Sequence, residues 1–339
     1  MRKILLTTTA LVALGGVSAA SALEISGFQR FIYSTWDDTA SAESGGANDS
    51  ELVNYMRFQF NHDVTTDSGM NIGMYSRINN VSDGSYEHIG LSGDFGTFSI
   101  GNYDTAGGNL YTSLVYDGKY VDDIDQTFAA GSGNLAGYAA AAQLDEASTY
   151  AVSYTLPTIS GLTVQVSQGE SGTTSEANVT EIGAAYNTEM NGVGIRLAAV
   201  SSKGDDSTGS ENDKKENQDM GLTLSFDGIT VKASSANNEK IGTDGIADVD
   251  VETQEYSIDY KAADGLDVAV ISLSSKDKMD TTNNPKVDQT IFAARYTLAP
   301  GVLAYASYAD FDYEGATNNS GSQTNLRFVC EPLLFVAPS

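Results

Sequence analysis

Between Leu23 and Val329 the chain repeats one unit about eight times: an alternating apolar/polar run, a short glycine-containing turn, a second alternating run, and a long polar stretch. The short turns read Thr66-Asp67-Ser68-Gly69, Asp94-Phe95-Gly96, Pro157-Thr158-Ile159-Ser160-Gly161, Glu189-Met190-Asn191-Gly192, Asp227-Gly228, Ala263-Asp264-Gly265 and Ala299-Pro300-Gly301. Alternation at period two gives every run two chemically different faces. The strict rhythm of short turn and long loop places every other strand end on the same side of the molecule. Membrane-spanning β-barrels are built this way, with tight turns at one rim and long loops at the other. The pattern points to a pore.

The first 22 residues read as a secretory signal. Arg2 and Lys3 precede an apolar run from Ile4 to Val17, and Ala20-Ser21-Ala22 supplies a small-x-small cleavage site. The apolar stretch is too short and too rich in threonine for a membrane anchor. Residues 1–22 are therefore assigned as signal peptide and 23–339 as one barrel. The signal carries two basic and no acidic residues, so a formal charge of −27 becomes −29 for residues 23–339. No later segment has the eighteen or more apolar residues that a membrane helix needs. An exported chain that sits in a membrane must then do so as a closed barrel.

Sixteen alternating runs are predicted as strands, near 23–36, 51–65, 70–79, 85–94, 96–104, 146–156, 162–168, 178–188, 193–203, 217–226, 229–237, 251–261, 265–275, 287–297, 301–311 and 323–329. Most have the nine to eleven residues of a tilted membrane strand, and the count is even, as closure in a bacterial barrel requires. Met56, Phe58 and Phe60 share one face of the second run; Tyr55, Arg57, Gln59 and Asn61 share the other. Val193, Ile195, Leu197 and Ala199 likewise oppose Arg196, and Ile229, Val231 and Ala233 oppose Lys232. A charge facing lipid at mid-depth costs ~2–4 kcal/mol, so the polar faces are expected to line the lumen. Aromatics near strand ends (Tyr55, Tyr154, Tyr186, Tyr260, Tyr296, Tyr308, Phe226 and Phe311) are expected to form interfacial girdles.

The acidity excludes nucleic acid as a partner, because no basic stripe is present to neutralise phosphates. It favours cations, and loosely bound Ca²⁺ or Mg²⁺ is expected to bridge acidic loops such as 37–51 and 204–216, although no stretch has the EF-hand spacing. No cofactor is expected. The single cysteine, Cys330, excludes an intramolecular disulfide. His62 and His88 offer little material for a zinc site and are read as surface or lumen side chains.

One connection breaks the rhythm. Residues 104–145 form a loop far longer than its siblings, containing Asp104, Asp117, Asp122, Asp123, Asp125 and Asp145 with only Lys119 in compensation. Its alanine-rich piece from Leu135 to Leu144 is compatible with a short helix. A loop of this length inside a compact fold is usually functional. Either it is a solvated external loop, or it folds into the lumen, narrows it and presents carboxylates there.

The stretch Glu87-His88-Ile89-Gly90-Leu91-Ser92-Gly93-Asp94-Phe95-Gly96-Thr97-Phe98-Ser99-Ile100-Gly101-Asn102-Tyr103-Asp104 resembles a signature of Gram-negative general porins, in which two strands feed the third loop. Thr66-Asp67-Ser68-Gly69-Met70 is similar to a turn common in alphaproteobacterial members. The resemblance implies a sixteen-stranded antiparallel barrel in the outer membrane of a Gram-negative bacterium, a homotrimer, with the third loop inside as a constriction. It also implies basic residues on early strands facing acidic residues of that loop. By position the basic wall is Arg30, Arg57 and Arg77, and the acids come from Asp104, Asp117, Asp122, Asp123 and Asp125. The implied function is passive diffusion of small hydrophilic solutes and ions, with cations preferred given the overall charge.

Three rivals stand beside this reading. A substrate-specific channel on the same fold, for sugars for example, would line its path with aromatics. An outer-membrane enzyme needs a carboxylate–histidine or Ser–His constellation at an outer strand end, and nothing recognisable accompanies His88. A secreted acidic β-repeat adhesin would fold without detergent. The chain also departs from the family at its end. The last strand starts correctly with Gln323 to Val329, and then the period collapses into Cys330-Glu331-Pro332-Leu333-Leu334-Phe335-Val336-Ala337-Pro338-Ser339. Pro332 cannot donate to a sheet ladder. Residues 330–339 are accordingly expected to be an atypical, altered C-terminal tail.

Overall fold

The computed structural model describes residues 23–36, 50–79, 86–102, 105–110, 150–170, 176–206, 213–241, 247–279, 286–314, 319–330 and 335–336. The signal segment, Asp104, Asp117, Asp122, Asp123, Asp125 and Pro332 lie outside the described residues. The strands run in the order β1 (Leu23–Trp36), β2 (Ser50–Thr65), β3 (Asn71–Asn79), β4 (Tyr86–Gly93), β5 (Gly96–Asn102), β6 (Tyr150–Thr155), β7 (Leu162–Glu170), β8 (Glu176–Met190), β9 (Val193–Asp206), β10 (Asp213–Phe226), β11 (Ile229–Ile241), β12 (Ala247–Ala263), β13 (Leu266–Asp277), β14 (Lys286–Ala299), β15 (Val302–Glu314) and β16 (Asn319–Cys330). A five-residue helix, α1 (Ala106–Leu110), follows β5, and a two-residue strand, β17 (Phe335–Val336), follows β16.

From β1 to β16 each strand pairs antiparallel with the next, and β16 pairs with β1, so the sheet closes on itself. Closure leaves no edge with unpaired backbone groups, which a bilayer would not tolerate. Following paired residues once round the wall returns to β1 roughly twenty residues further along. For sixteen strands that stagger gives a tilt of ~40° and a barrel about 30 Å across. Register shifts occur at Lys240/Ile241, Lys261/Ala263, Thr297/Ala299 and Ala177/Thr180, all close to strand ends.

The short turns force the hairpins. In Phe226-Asp227-Gly228-Ile229 both central residues have positive φ, 47° and 80°, the two-residue turn whose twist matches that of the flanking strands. Gly161 has φ 87°, and a Cβ there would lie 2.1 Å from the Asn187 carbonyl oxygen.

The faces separate as alternation dictates. Phe58, Ile78, Val166, Ile182, Leu197, Met220, Ile258, Phe292 and Phe328 point outward and are exposed. With tilt allowed for, the outward apolar residues form a band about 25 Å tall. Tyr186, Phe226, Tyr260 and Tyr296 point outward near the short-turn rim, where a girdle was expected. Tyr55 does not belong to it. Its parity turns it inward, and it is only 6% exposed. The inner wall also departs from uniform polarity: Ala269, Ile271, Ile291, Ala293 and Ala309 form a buried apolar cluster on the inner face of β13 to β15.

Several strands run further at their long-loop ends than the alternation shows. β9 continues to Asp206, β10 starts at Asp213 and β11 reaches Ile241. Above the bilayer both faces meet water, so the backbone ladder persists after the period-two signal has gone. At the C-terminus the ladder also resumes. Ile25 pairs with Phe335 and Glu24 with Val336, one residue out of step with the β16 register in which Gln29 pairs with Cys330. Phe335 and Val336 thus run along β1 with a register offset of one residue from β16.

Candidate functional site

The inner wall at mid-depth carries most of the chemistry. Parity turns Phe28 and Arg30 of β1, Tyr55 and Arg57 of β2, and Tyr75, Arg77 and Asn79 of β3 inward. On the other side of the closure, Tyr305 of β15 and Arg327 of β16 face the same way. The rings hold the guanidinium groups. Phe28 and Tyr55 stack with centroids 5.6 Å apart. The Arg30 Cζ lies 4.3 Å from the Tyr55 centroid and that of Arg57 5.0 Å from Phe28. Arg57 also donates from Nε to Asn79 Oδ1 at 3.1 Å and from Nη2 to the Tyr55 hydroxyl at 2.8 Å. Arg327 Cζ sits 3.9 Å over the Tyr305 ring. One strand further, Arg295 of β14 donates from Nε and Nη2 to Asp267 of β13.

The stagger of the barrel brings these residues to one height. Ile32 is the direct partner of Arg327, Tyr55 of Arg30, and Asn79 of Arg57. Arg30, Arg57 and Arg77 each sit two residues nearer the short-turn rim than those partners. A step of that sense at every strand offsets the climb of the hydrogen-bonding direction. Arg295, Arg327, Arg30, Arg57 and Arg77 consequently form a near-level basic arc over β14 to β3, about halfway up the apolar band.

The inner wall from β8 to β12 carries carboxylates within about 10 Å of the same height. They are Glu181 of β8, Asp219 of β10, and Glu255 and Asp259 of β12, all buried, with Lys232 of β11 among them. Ser234 Oγ donates to Glu255 at 2.9 Å and Ser257 Oγ to Asp259 at 3.2 Å.

The helix α1 lies against this acidic side, on the inner faces of β7, β8 and β9. Ala106 N donates to Ser167 Oγ and Gly107 N to Glu181 Oε2, both at 2.9 Å. Arg196 Nη2 donates to the Leu110 carbonyl at 2.6 Å. Leu110 packs on Ala185, Ala198 and Val200. Of the connection after β5, residues 105–110 therefore lie against the inner face of the wall.

Arg30, Arg57 and Arg77, named from the sequence, stand on adjacent strands and face inward together. The five named loop aspartates fall outside the described residues. Arg295, Ser167 and Glu181 were not named from the sequence, and Arg196 and Arg327 were read as inward without being placed in the site. Alternation signals that these residues face inward, yet it cannot tell that a helix meets them. His88 faces inward with its ring stacked on Tyr75 at 5.0 Å, whereas His62 has outward parity. Among the described residues no group of three or more His, Cys, Asp or Glu side chains is arranged to hold a metal ion.

Comparison with known proteins follows the same lines. The sequence matches the profile of a family described as Gram-negative porin over residues 7–316. No curated relative matches the sequence. Among solved structures, an anion-selective porin from Comamonas acidovorans superposes with TM-score 0.66 at 14% identity, covering 93% of this chain and 100% of that one. A loop L8 deletion mutant of OmpT, an outer membrane protein of Vibrio cholerae, gives TM-score 0.66 at 14% identity over 92% and 99% of the two chains. A triple mutant of the Rhodopseudomonas blastica porin gives 0.60 at 20% identity over 91% and 99%.

Proposed function

Because this chain belongs to the Gram-negative porin family and forms an outer-membrane channel, we propose that it passes small hydrophilic solutes and ions by diffusion through an aperture at mid-depth. The observation that carries the reading is the meeting of α1 with the inner wall at the height of the arginine arc. The connection 104–145 then starts in the lumen and narrows it, bringing Asp104, Asp117, Asp122, Asp123 and Asp125 opposite Arg30, Arg57 and Arg77. Opposed charge across a water-filled constriction creates a transverse field, which orients dipolar solutes and disfavours apolar ones.

Cations are preferred overall, because the protein carries −29 after signal removal. The arginine arc opposes that preference locally, so it is weak and most evident at low salt, where screening is least. A sugar-specific path is the weaker reading. The inward rings of Phe28, Tyr55 and Tyr305 are covered by guanidinium groups rather than offered as a sliding surface. The protomers assemble as a homotrimer, in keeping with the porin family, and Ca²⁺ or Mg²⁺ binds loosely among the acidic outer loops.

Reconstitution of the detergent-purified protein into planar bilayers under a salt gradient tests these points together. Stepwise conductance with a small cation-directed reversal potential is expected. A detergent-free, monodisperse monomer with full β content, or bilayers that never conduct, would refute the reading.

A further inference from the structure

Glu181 is 1% exposed, although it sits on the inner wall of a channel. Its two oxygens receive three donors from three different elements. Gly107 N of α1 donates to Oε2 at 2.9 Å, Ser167 Oγ of β7 donates to Oε2 at 3.2 Å, and Ser202 Oγ of β9 donates to Oε1 at 3.2 Å. Ser167 Oγ in turn accepts from Ala106 N. The first amides of a helix have no partner within it, and here two of them end on this wall network.

A five-residue helix does not hold its shape alone, since nucleation costs more than so few hydrogen bonds return. The wall supplies what the sequence of α1 lacks. Glu181 and Ser167 take its start, Arg196 takes the Leu110 carbonyl at its end, and Gly183 leaves the space between. A Cβ on Gly183 would lie 3.1 Å from Leu110 Cδ1 and 3.0 Å from Val200 Cγ2. We propose that Glu181 is the positioning residue that fixes α1 to the wall and thereby sets the width and steadiness of the aperture. The inference rests on the reading that the connection following α1 narrows the lumen.

The chemistry separates anchoring from charge. Glutamine keeps one oxygen for the Gly107 and Ser167 donors, and its amide can donate to Ser202, whose hydroxyl turns to accept. Leucine fills similar space and leaves all three donors without an acceptor. In single-channel recordings of the purified full chain, Glu181→Gln is expected to keep the wild-type open-channel noise. Glu181→Leu is expected to show several-fold higher open-channel noise, with several-fold faster uptake of solutes near the size limit, while β content and heat resistance of the oligomer are unchanged. Gly183→Leu, which crowds α1 without touching the carboxylate, should reproduce that behaviour and carries the test if Glu181→Leu does not fold.

A chain with residues 115–145 replaced by a short Gly-Ser linker reports on the underlying reading. If that chain conducts more and both Glu181→Leu and Gly183→Leu behave as wild type, the anchor is overturned while the constriction stands. If none of the three differs from wild type, the constriction falls and the anchor with it. If Glu181→Gln is as noisy as Glu181→Leu, the carboxylate acts through its charge and the proposal is wrong.

Discussion

Arg57 donates from Nη2 to the hydroxyl of Tyr55, 2.8 Å away and two residues earlier on the same inward face. With the bond from Nε to Asn79, this fixes both edges of the guanidinium against the wall. An arginine so held presents its charge to the lumen from one place instead of sweeping a volume. This stretch of the inner wall therefore has a defined positive side.

Replacing Arg57 and Arg77 with glutamine should shift the reversal potential toward cations. A unit charge about 10 Å from a permeant ion contributes ~0.4 kcal/mol in water, with opposite sign for cations and anions. Each substitution is then expected to raise the cation/anion permeability ratio by about twofold to fourfold at low salt. Asparagine at Asp117, Asp122, Asp123 and Asp125 should act in the opposite sense. If neither set moves the reversal potential, the long connection does not share the pore with these arginines.

Phe28→Leu and Tyr305→Leu change no charge but remove the rings beneath Arg57 and Arg327. A cation–π contact contributes about 0.5–1 kcal/mol at exposed sites, enough to restrict a side chain without binding it irreversibly. The expected result is a weaker dependence of permeability on ion sign, with the mean conductance little altered. Selectivity identical to wild type in both variants would show that the arginines are positioned by other contacts.

Two turn glycines should differ although both have positive φ. Gly69 at φ 81° has open space where a Cβ would go, whereas a Cβ at Gly161 would collide with the Asn187 carbonyl. Alanine at position 69 should cost about 1–2 kcal/mol from backbone strain alone. Alanine at 161 adds the collision, and the Asn187 amide bond to the Gly161 carbonyl is strained with it. Urea titration of the barrel in detergent should rank Gly161→Ala as clearly the less stable, and equal midpoints would contradict this account.

The outer rim supplies a pH prediction. Lys278 donates to Glu252 at 3.2 Å and Gln254 adds a bond at 3.3 Å, and these hold the Glu252 carboxyl below its ordinary range. A lowered carboxyl pKa favours the folded state above the unfolded value, and that contribution disappears as pH falls through the lowered one. The pair is solvated, so the effect on stability is small. NMR titration of the labelled side chain should give a midpoint below that of a free glutamate, and Lys278→Met should move it up. No movement in the Lys278→Met protein would remove the lysine as the cause.

The fold was legible because a barrel wall writes its two solvents into alternate residues. Arg57 and Phe58 are neighbours in sequence and face water and lipid respectively, so parity alone places them. Tyr55 defeats simple reading by residue type, since a tyrosine suits either an interface or a lumen and only its register with Arg30 decides. Glu181 lay beyond reach for another reason. Its partners come from β7, β9 and α1, and no local pattern records a helix arriving from 74 residues away. The apolar cluster around Ile271 and Ile291 likewise contradicts the rule that inward means polar, and a single strand gives no sign of it.

Among the described residues every register shift in the wall falls near a rim: Ala177/Thr180 and Lys240/Ile241 toward the long loops, Lys261/Ala263, Thr297/Ala299 and the offset between β16 and β17 toward the short turns. Within the band, one inserted residue would exchange the lipid and water faces of the rest of its strand. Insertions and deletions are thus confined to the margins, where a bulge absorbs them before they reach the bilayer. A lineage carrying this barrel can remodel its exterior by changes of length, but it can retune the aperture only by substitution, one inward position at a time.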